Sequence, residues 1–149
     1  AYKDAIDVLK KNGISINQGD DLSPESEKML DKLYPECIIF VHSWPRSIKP
    51  FYIWPKEDGT SAGFDALYKG IEISSGGQRV HVPEVLIQQL KDKGLNPANF
   101  EYYISAFRYG APYHSGWSIG LERLTMMIVG ADNIREAALF PRDRDRLQP

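Results

Sequence analysis

Apolar positions in the first part of the chain recur at the three- to four-residue spacing of helices. Over 2–11 they place Ala5, Ile6 and Leu9 on one face, and Asn12-Gly13 supplies a C-terminal stop. A second helix is announced by Ser23 as N-cap, Pro24 at its first position and Glu25 beside it. Its apolar residues are Met29, Leu30 and Leu33, and it ends near Tyr34-Pro35. Between the two helices, Asp20 and Asp21 sit in a polar, solvated turn. The spacing then changes: 37–42 is a β-branched and aromatic run, read as a buried strand. Pro45 and Pro50 bracket a loop, 51–54 reads as a short strand closed by Pro55, and 56–63 is loop. Residues 64–74 read as one long strand. Helices are predicted over 83–93 and 97–109, ended by Gly94 and Gly110. A small-residue strand from Gly116 turns into a last helix, 121–129, stopped at Gly130. Strands with interposed helices but no regular βαβ alternation predict an α+β fold with a mainly antiparallel sheet.

Composition narrows this picture modestly. With 149 residues, 42% of them hydrophobic, one domain can bury a core. Lys and Arg number 18 against 20 Asp and Glu, so no global basic field marks a nucleic-acid binder. Cys37 is the only cysteine, which rules out a disulfide within the chain; in its apolar run it reads as a buried structural thiol. No apolar run has the length of a membrane span and no signal-peptide pattern is present, so a cytoplasmic location with no membrane partner is expected.

Two clusters carry candidate chemistry. In Gly116-Trp-Ser-Ile-Gly-Leu-Glu-Arg123, the small residues Gly116, Ser118 and Gly120 let a flat ligand approach the backbone. Arg123, one turn into the helix, can lie over that ligand or reach its phosphates. The second cluster is Asp65, Glu72, Ser75, Gly76, Gly77, Arg79 and His81. In a regular strand over 64–74, Asp65 and Glu72 point to opposite faces, so a shared ligand requires a bulge or strong twist at Lys69-Gly70. Glu72 and Ser75 can share a hard cation more readily, and carboxylates with a hydroxyl suit Mg²⁺; surface carboxylates are the plain alternative. Arg79 can clamp a carboxylate with two parallel hydrogen bonds or make a surface ion pair. His81 and His114 lack a nucleophile at a recognisable spacing and read as structural. Tyr102, Tyr103, Phe107 and Tyr109 have helical spacing and read as core. Neither a G-x-x-x-x-G-K nor a G-x-G-x-x-G motif occurs.

Taken together, the segments resemble the class II aminoacyl-tRNA synthetases, specifically their aspartyl branch of archaeal and eukaryotic type. The stretch 116–123 is similar to that class's third signature motif, and Glu72-Ile-Ser-Ser-Gly-Gly-Gln-Arg-Val-His81 to the branch's active-site strand. Asp132-Asn-Ile-Arg-Glu136, Phe140-Pro-Arg-Asp143 and Arg146-Leu-Gln-Pro149 resemble the aspartyl C-terminus. The resemblance implies that 1–149 is the C-terminal portion of a class II catalytic domain, a mainly antiparallel sheet flanked by helices. It implies ATP bound with adenine against Arg123, as the catalytic and ATP-binding arginine, with Glu72, Ser75 and Gly120 also at the nucleotide. Asp65, Glu72 and Ser75 match the Mg²⁺ ligands; Arg79 matches the clamp on the substrate aspartate, with Gly76 and Gly77 as the floor beneath it. A distortion between Asp65 and Glu72 follows. The implied partners are ATP, L-aspartate, tRNA(Asp) and, as an alternative acceptor, tRNA(Asn), with a homodimer for the full-length parent.

The chain departs from the family at three places: Ser118 replaces a usual glycine, 61–64 differs before the matching aspartate, and the first two class motifs are not found. With Ala1 in place of a methionine, this leads us to expect a fragment that is inactive alone. Two other readings stay open at this point: a paralogue that adenylates aspartate without tRNA, and an interaction module that has lost activity.

Overall fold

The computed structural model describes residues 1–148; Pro149, the last residue of the C-terminal resemblance, lies outside them. Helices α1 (Tyr2–Lys11) and α2 (Pro24–Leu33) come first, as the apolar spacing predicts. Ser23 caps α2 by accepting a hydrogen bond from the Ser26 backbone N–H. Strands β1 (Ile39–His42), β2 (Gly63–Tyr68), β3 (Ile71–Gln78) and β4 (Ser115–Ile119) form one sheet in sequence order, every neighbouring pair antiparallel. Helices α3 (Pro83–Asp92) and α4 (Glu101–Arg108) lie between β3 and β4, and α5 (Leu121–Val129) follows β4. The α+β, mainly antiparallel expectation holds.

The largest departure is at 64–74, which is not one strand but a hairpin. Lys69 and Gly70 both take positive φ, 49° and 70°, the backbone of a two-residue turn whose twist matches the flanking strands. Lysine is not a residue that announces such a turn, which is why β-branched and aromatic composition alone reads straight through it. Beyond the turn, Ala66 pairs with Ser74 but Leu67 pairs with Glu72, so a bulge sits at Ile73. The expected distortion between Asp65 and Glu72 is therefore present, as a reversal of the chain plus a bulge.

Register then decides what shares a face. Val41, Asp65, Ser75 and Ser118 lie opposite one another in a single row across all four strands. At the β1 end this face is dry: Val41 and Leu67 join Ile6, Leu9, Leu30 and Trp44 in a core against α1 and α2. Toward β4 the same face opens. A second core joins Val80, Leu86, Leu90 and Ile104 with Phe51 and Trp54 from the loop after β1. The other face of the sheet carries Phe40, Phe64, Ala66, Trp117 and Ile119 around an open apolar depression.

Three further expectations change. Residues 51–54 are not a strand: Ile53 makes one isolated bridge to Arg79, because the flanking prolines lack the N–H groups a ladder needs. Cys37 is exposed, since it precedes β1 at the sheet edge instead of lying within a central strand. Tyr102 and Tyr109, seven apart on the outer face of α4, are 79% and 93% exposed, while Tyr103 and Phe107 turn into the core.

Candidate active site

The open half of the row becomes a cavity because the loop from Trp44 to Pro55 folds back beside the hairpin. Ser61 and Ala62 tie it down: Ser61 N–H donates to the Trp44 carbonyl at 2.8 Å, and Ala62 N–H to that of Trp54 at 2.9 Å. The resulting cavity, about 200 Å³, is lined by Lys49, Tyr52, Asp65, Glu72, Ser75, Gly76, Arg79 and Ser118 among others. A second recess, about 260 Å³, runs from Glu72, Ser75 and Ser118 past Gly120 to Arg123. The two recesses share Glu72, Ser75 and Ser118, so a ligand spanning both would cross those three side chains.

Asp65 is almost fully buried and forms an ion pair with Lys49, whose side chain is itself 15% exposed. The Lys49 ammonium also lies 4.1 Å from the centre of the buried Trp44 ring. Burial pushes the Asp65 carboxyl above its ordinary range, and the contact with Lys49 opposes that rise. Glu72 is partly buried and is likewise pushed up, first by burial and then by the charge of Asp65, with Arg123 opposing. Glu27 on α2 follows the same pattern, raised by burial and then by Glu72. Three carboxylates thus influence one another across α2, β2 and β3 with less positive charge than they need.

That donor set fits a hard divalent cation in part. Asp65 and Ser75 are opposite in register, Glu72 follows across the bulge, and all three line the first cavity. Among the described residues no three acidic, His or Cys side chains already converge as a metal cage, and Asp65 is engaged by Lys49. Magnesium tolerates such a site, since it keeps several waters and takes its remaining oxygens from phosphates.

The two arginines occupy opposite ends. Arg79 continues from β3, its N–H donating to the His114 carbonyl at 2.9 Å, and its guanidinium carbon lies 5.0 Å from the Tyr52 ring centre. Among the described residues its side chain has no ion pair. Arg123 is exposed on the first turn of α5 and donates from Nη1 to the Glu72 carbonyl at 2.7 Å. Gly120 caps α5 and bonds back to Ile73, which fixes the start of that helix on β3.

The glycines are also held by packing within the protein. A Cβ at Gly76 would meet Trp117 Cβ at 2.5 Å and Phe64 at 2.9 Å; one at Gly77 would meet the Ala62 carbonyl at 2.5 Å. Both are required by protein packing; Gly76 also lines the first cavity, and Gly77 is not on its lining among the described residues. At Gly116 the neighbour is Arg79, not open space for a ligand. His81 stacks between Trp54 and Tyr113, and His114 bonds to the Pro112 carbonyl, in keeping with structural roles. Lys49, Tyr52 and Glu27 escaped the sequence reading. Lys49 left one signal, a single charge inside Ile48-Lys-Pro-Phe-Tyr-Ile-Trp54, where a buried partner is to be expected.

Comparison with known proteins identifies the family. The family model for class II tRNA synthetases (D, K and N) matches residues 1–144. The aspartate–tRNA(Asp) ligase of Picrophilus torridus is 50% identical over 99% of this chain, and the aspartate–tRNA(Asp/Asn) ligase of Methanopyrus kandleri 46% identical. The chain spans 35% and 34% of those two proteins' lengths. In structure it resembles the aspartyl-tRNA synthetase of Entamoeba histolytica (TM-score 0.93, 41% identity, 99% of this chain and 32% of that one). It also resembles the asparaginyl-tRNA synthetase of Pyrococcus horikoshii complexed with asparaginyl-adenylate (TM-score 0.92, 34% identity, 99% and 35%). With nearly its whole length matched by the family model, the chain belongs to the class II tRNA synthetases of the D, K and N group.

Proposed function

We propose that these residues form the aspartate-binding half and one wall of the ATP site of an aspartate–tRNA ligase, as the C-terminal portion of its catalytic domain. The observation that carries this reading is the joined pair of recesses, with Arg79, which has no ion pair among the described residues, at one end and Arg123 at the other. A partly buried guanidinium facing a small polar cavity is suited to a carboxylate, which it can hold by two parallel hydrogen bonds. On this reading Arg123 meets the nucleotide, and Glu72, Ser75 and Ser118, which line both recesses, lie between the two.

In the reaction, the aspartate α-carboxylate attacks the α-phosphorus of ATP, the bond to the β-phosphate oxygen breaks, and pyrophosphate leaves. A hydroxyl of the terminal ribose of tRNA(Asp), with tRNA(Asn) as the alternative acceptor, then attacks the acyl carbon of the adenylate; it loses its proton, the bond from that carbon to the phosphate oxygen breaks, and AMP leaves. Neither step needs a protein nucleophile, so positioning and charge neutralisation supply the catalysis. Arg79 fixes the substrate by its side chain, which leaves the α-carboxylate free to react. Glu72, Ser75 and Asp65 would hold Mg²⁺, which supplies positive charge to the phosphates when bound. Cytoplasmic location and a homodimeric parent complete the proposal; among the described residues no helix is long and apolar enough to cross a membrane.

The deciding experiment is ATP–pyrophosphate exchange by the protein as its gene encodes it. Exchange that depends on aspartate is expected, and asparagine should not replace it. The two aspartate–tRNA ligases named above are 50% and 46% identical to this chain, and the Entamoeba histolytica aspartyl-tRNA synthetase 41%, against 34% for the asparaginyl structure. Exchange with asparagine alone would overturn the substrate assignment.

A further inference from the structure

Arg79 is the only charged side chain on the first cavity for which the surroundings leave two measurable restraints and no ionic partner among the described residues. Its guanidinium carbon stands over the Tyr52 ring, 5.0 Å from its centre, so the ring bounds the group on one side. The second restraint is Gly116 on β4. A Cβ built there would lie 2.9 Å from Nη2, 3.0 Å from Nε and 3.4 Å from Cζ. Had that point stood over the face of the group, Cζ, its central atom, would be the nearest; it is the farthest. Gly116 therefore backs onto the Nε–Nη2 edge, and no larger residue leaves the guanidinium where it is. The register supports this placement, since Gly116 is opposite Gly77, two residues before Arg79. Tyr52 is brought to Arg79 by the bridge between Ile53 and Arg79 and by the Val80 N–H bond to the Tyr52 carbonyl at 2.9 Å.

We propose that Tyr52 and Gly116 are positioning residues that hold Arg79 in a fixed plane and depth for the substrate carboxylate. The inference rests on the aspartate-activating reading above. An arginine has four rotatable bonds, and a free one would have to be ordered by each incoming substrate. A ring beside the group and a peptide on one edge restrict that freedom before binding, so bidentate recognition starts from a prepared geometry. Gly116 thereby acquires a role beside the one its motif position implies: it is needed by the arginine of the neighbouring strand.

The test uses the protein as its gene encodes it and three substitutions, Gly116→Ala, Tyr52→Leu and Tyr52→Phe. In Gly116→Ala the clash is met by the end of a flexible side chain, so the fold is kept while the guanidinium is displaced. Gly116→Ala and Tyr52→Leu are each expected to raise the KM for aspartate by about 10- to 100-fold, as a displacement of under an ångström at a recognition group does. The KM for ATP should stay within about twofold, because Arg123 and its recess are untouched. Tyr52→Phe, which keeps the ring, should restore aspartate KM to near the unsubstituted value. Equal rises in both KM values, or a loss in Tyr52→Phe as large as in Tyr52→Leu, would overturn the clamp. So would unchanged aspartate KM in Tyr52→Leu, which decides the matter even where the alanine at 116 does not fold. A lack of aspartate-dependent exchange in the unsubstituted protein overturns the functional reading itself, and the clamp's substrate with it.

Discussion

The two recesses meet at the same three side chains but are built to different degrees of readiness. Around Arg79 the working groups are restrained from several directions: Asp65 is buried and paired with Lys49, and Arg79 is bounded by Tyr52 and Gly116. Around Arg123 the surface is open; the guanidinium keeps one hydrogen bond to a main-chain carbonyl, and Leu121 and Ile128 of the same helix are 71% and 75% exposed. The difference comes from the number of elements that contribute. Loop 44–55, the hairpin and β4 all close on the first recess, whereas β4, α5 and the bulged start of β3 supply most of the second. On the proposed aspartate-activating reading, a small acidic substrate offers few atoms to recognise, so its site must be rigid to discriminate. A nucleotide offers far more surface, and one prepared wall can be completed by others.

Arg79→Ala should break this comparison most severely. Removing one partner of a buried charged pair costs about 3–5 kcal/mol, so kcat/KM for aspartate should fall about 10²- to 10³-fold or more in pyrophosphate exchange. ATP affinity, measured by equilibrium binding, should hardly change. Arg123→Ala is the mirror image with a smaller effect. An exposed guanidinium contributes less, and the KM for ATP is expected to rise about tenfold, with aspartate KM within about twofold. If either substitution harmed both ligands equally, the two recesses would be one energetic unit and the division drawn between them would fail.

How much of this was legible depends on the range over which each signal acts. The caps and stops of α1, α2 and α5 were readable because they are local: Ser23 and Gly130 act within a turn of themselves. The stretch from Gly116 to Arg123 was readable as strand turning to helix for the same reason. The hairpin was not, because Lys69 adopts positive φ under the demands of the flanking pairings and not by its own preference. The Lys49–Asp65 pair joins residues 16 apart across a loop, and the Gly116–Arg79 contact joins two strands separated by two helices. Such pairings depend on register, which spacing alone cannot give. Gly116 shows the consequence most clearly: its smallness is legible in the sequence, whereas the arginine it makes room for is set by register.

The hairpin turn offers a substitution that should act on both recesses together. Gly70 has φ of 70°, and a Cβ there would lie 3.0 Å from the Lys28 backbone on α2. Gly70→Ala should therefore destabilise the fold by about 1–3 kcal/mol, from left-handed strain and the displacement of α2. Because Glu72 follows two residues later and lines both recesses, KM for aspartate and for ATP should rise by similar factors. Denaturant melts and exchange kinetics on the same preparation would check both, and a change in one KM alone would show that the turn does not set the shared boundary.

The smallest effect concerns that boundary's charge. Burial and the neighbouring carboxylate hold Glu72 above its ordinary range, so the unfolded chain gives up this proton at lower pH than the folded one. The stabilisation associated with the protonated form is complete below the ordinary carboxylate range and is lost as pH rises through the raised value. At neutral pH Glu72 is thus a net cost to the fold, reduced by solvent because the side chain is only partly buried. Glu72→Gln removes that cost and should stabilise the protein at neutral pH, without divalent cations, by a few tenths to about 1 kcal/mol. Well below the carboxylate range, where glutamate is protonated and resembles glutamine, the two melting temperatures should converge. Magnesium should raise the melting temperature of the unsubstituted protein at neutral pH more than that of the variant, since the cation offsets a charge the variant lacks. A variant less stable at neutral pH would mean that Arg123 already satisfies Glu72, and the shared boundary would then belong to the nucleotide recess alone.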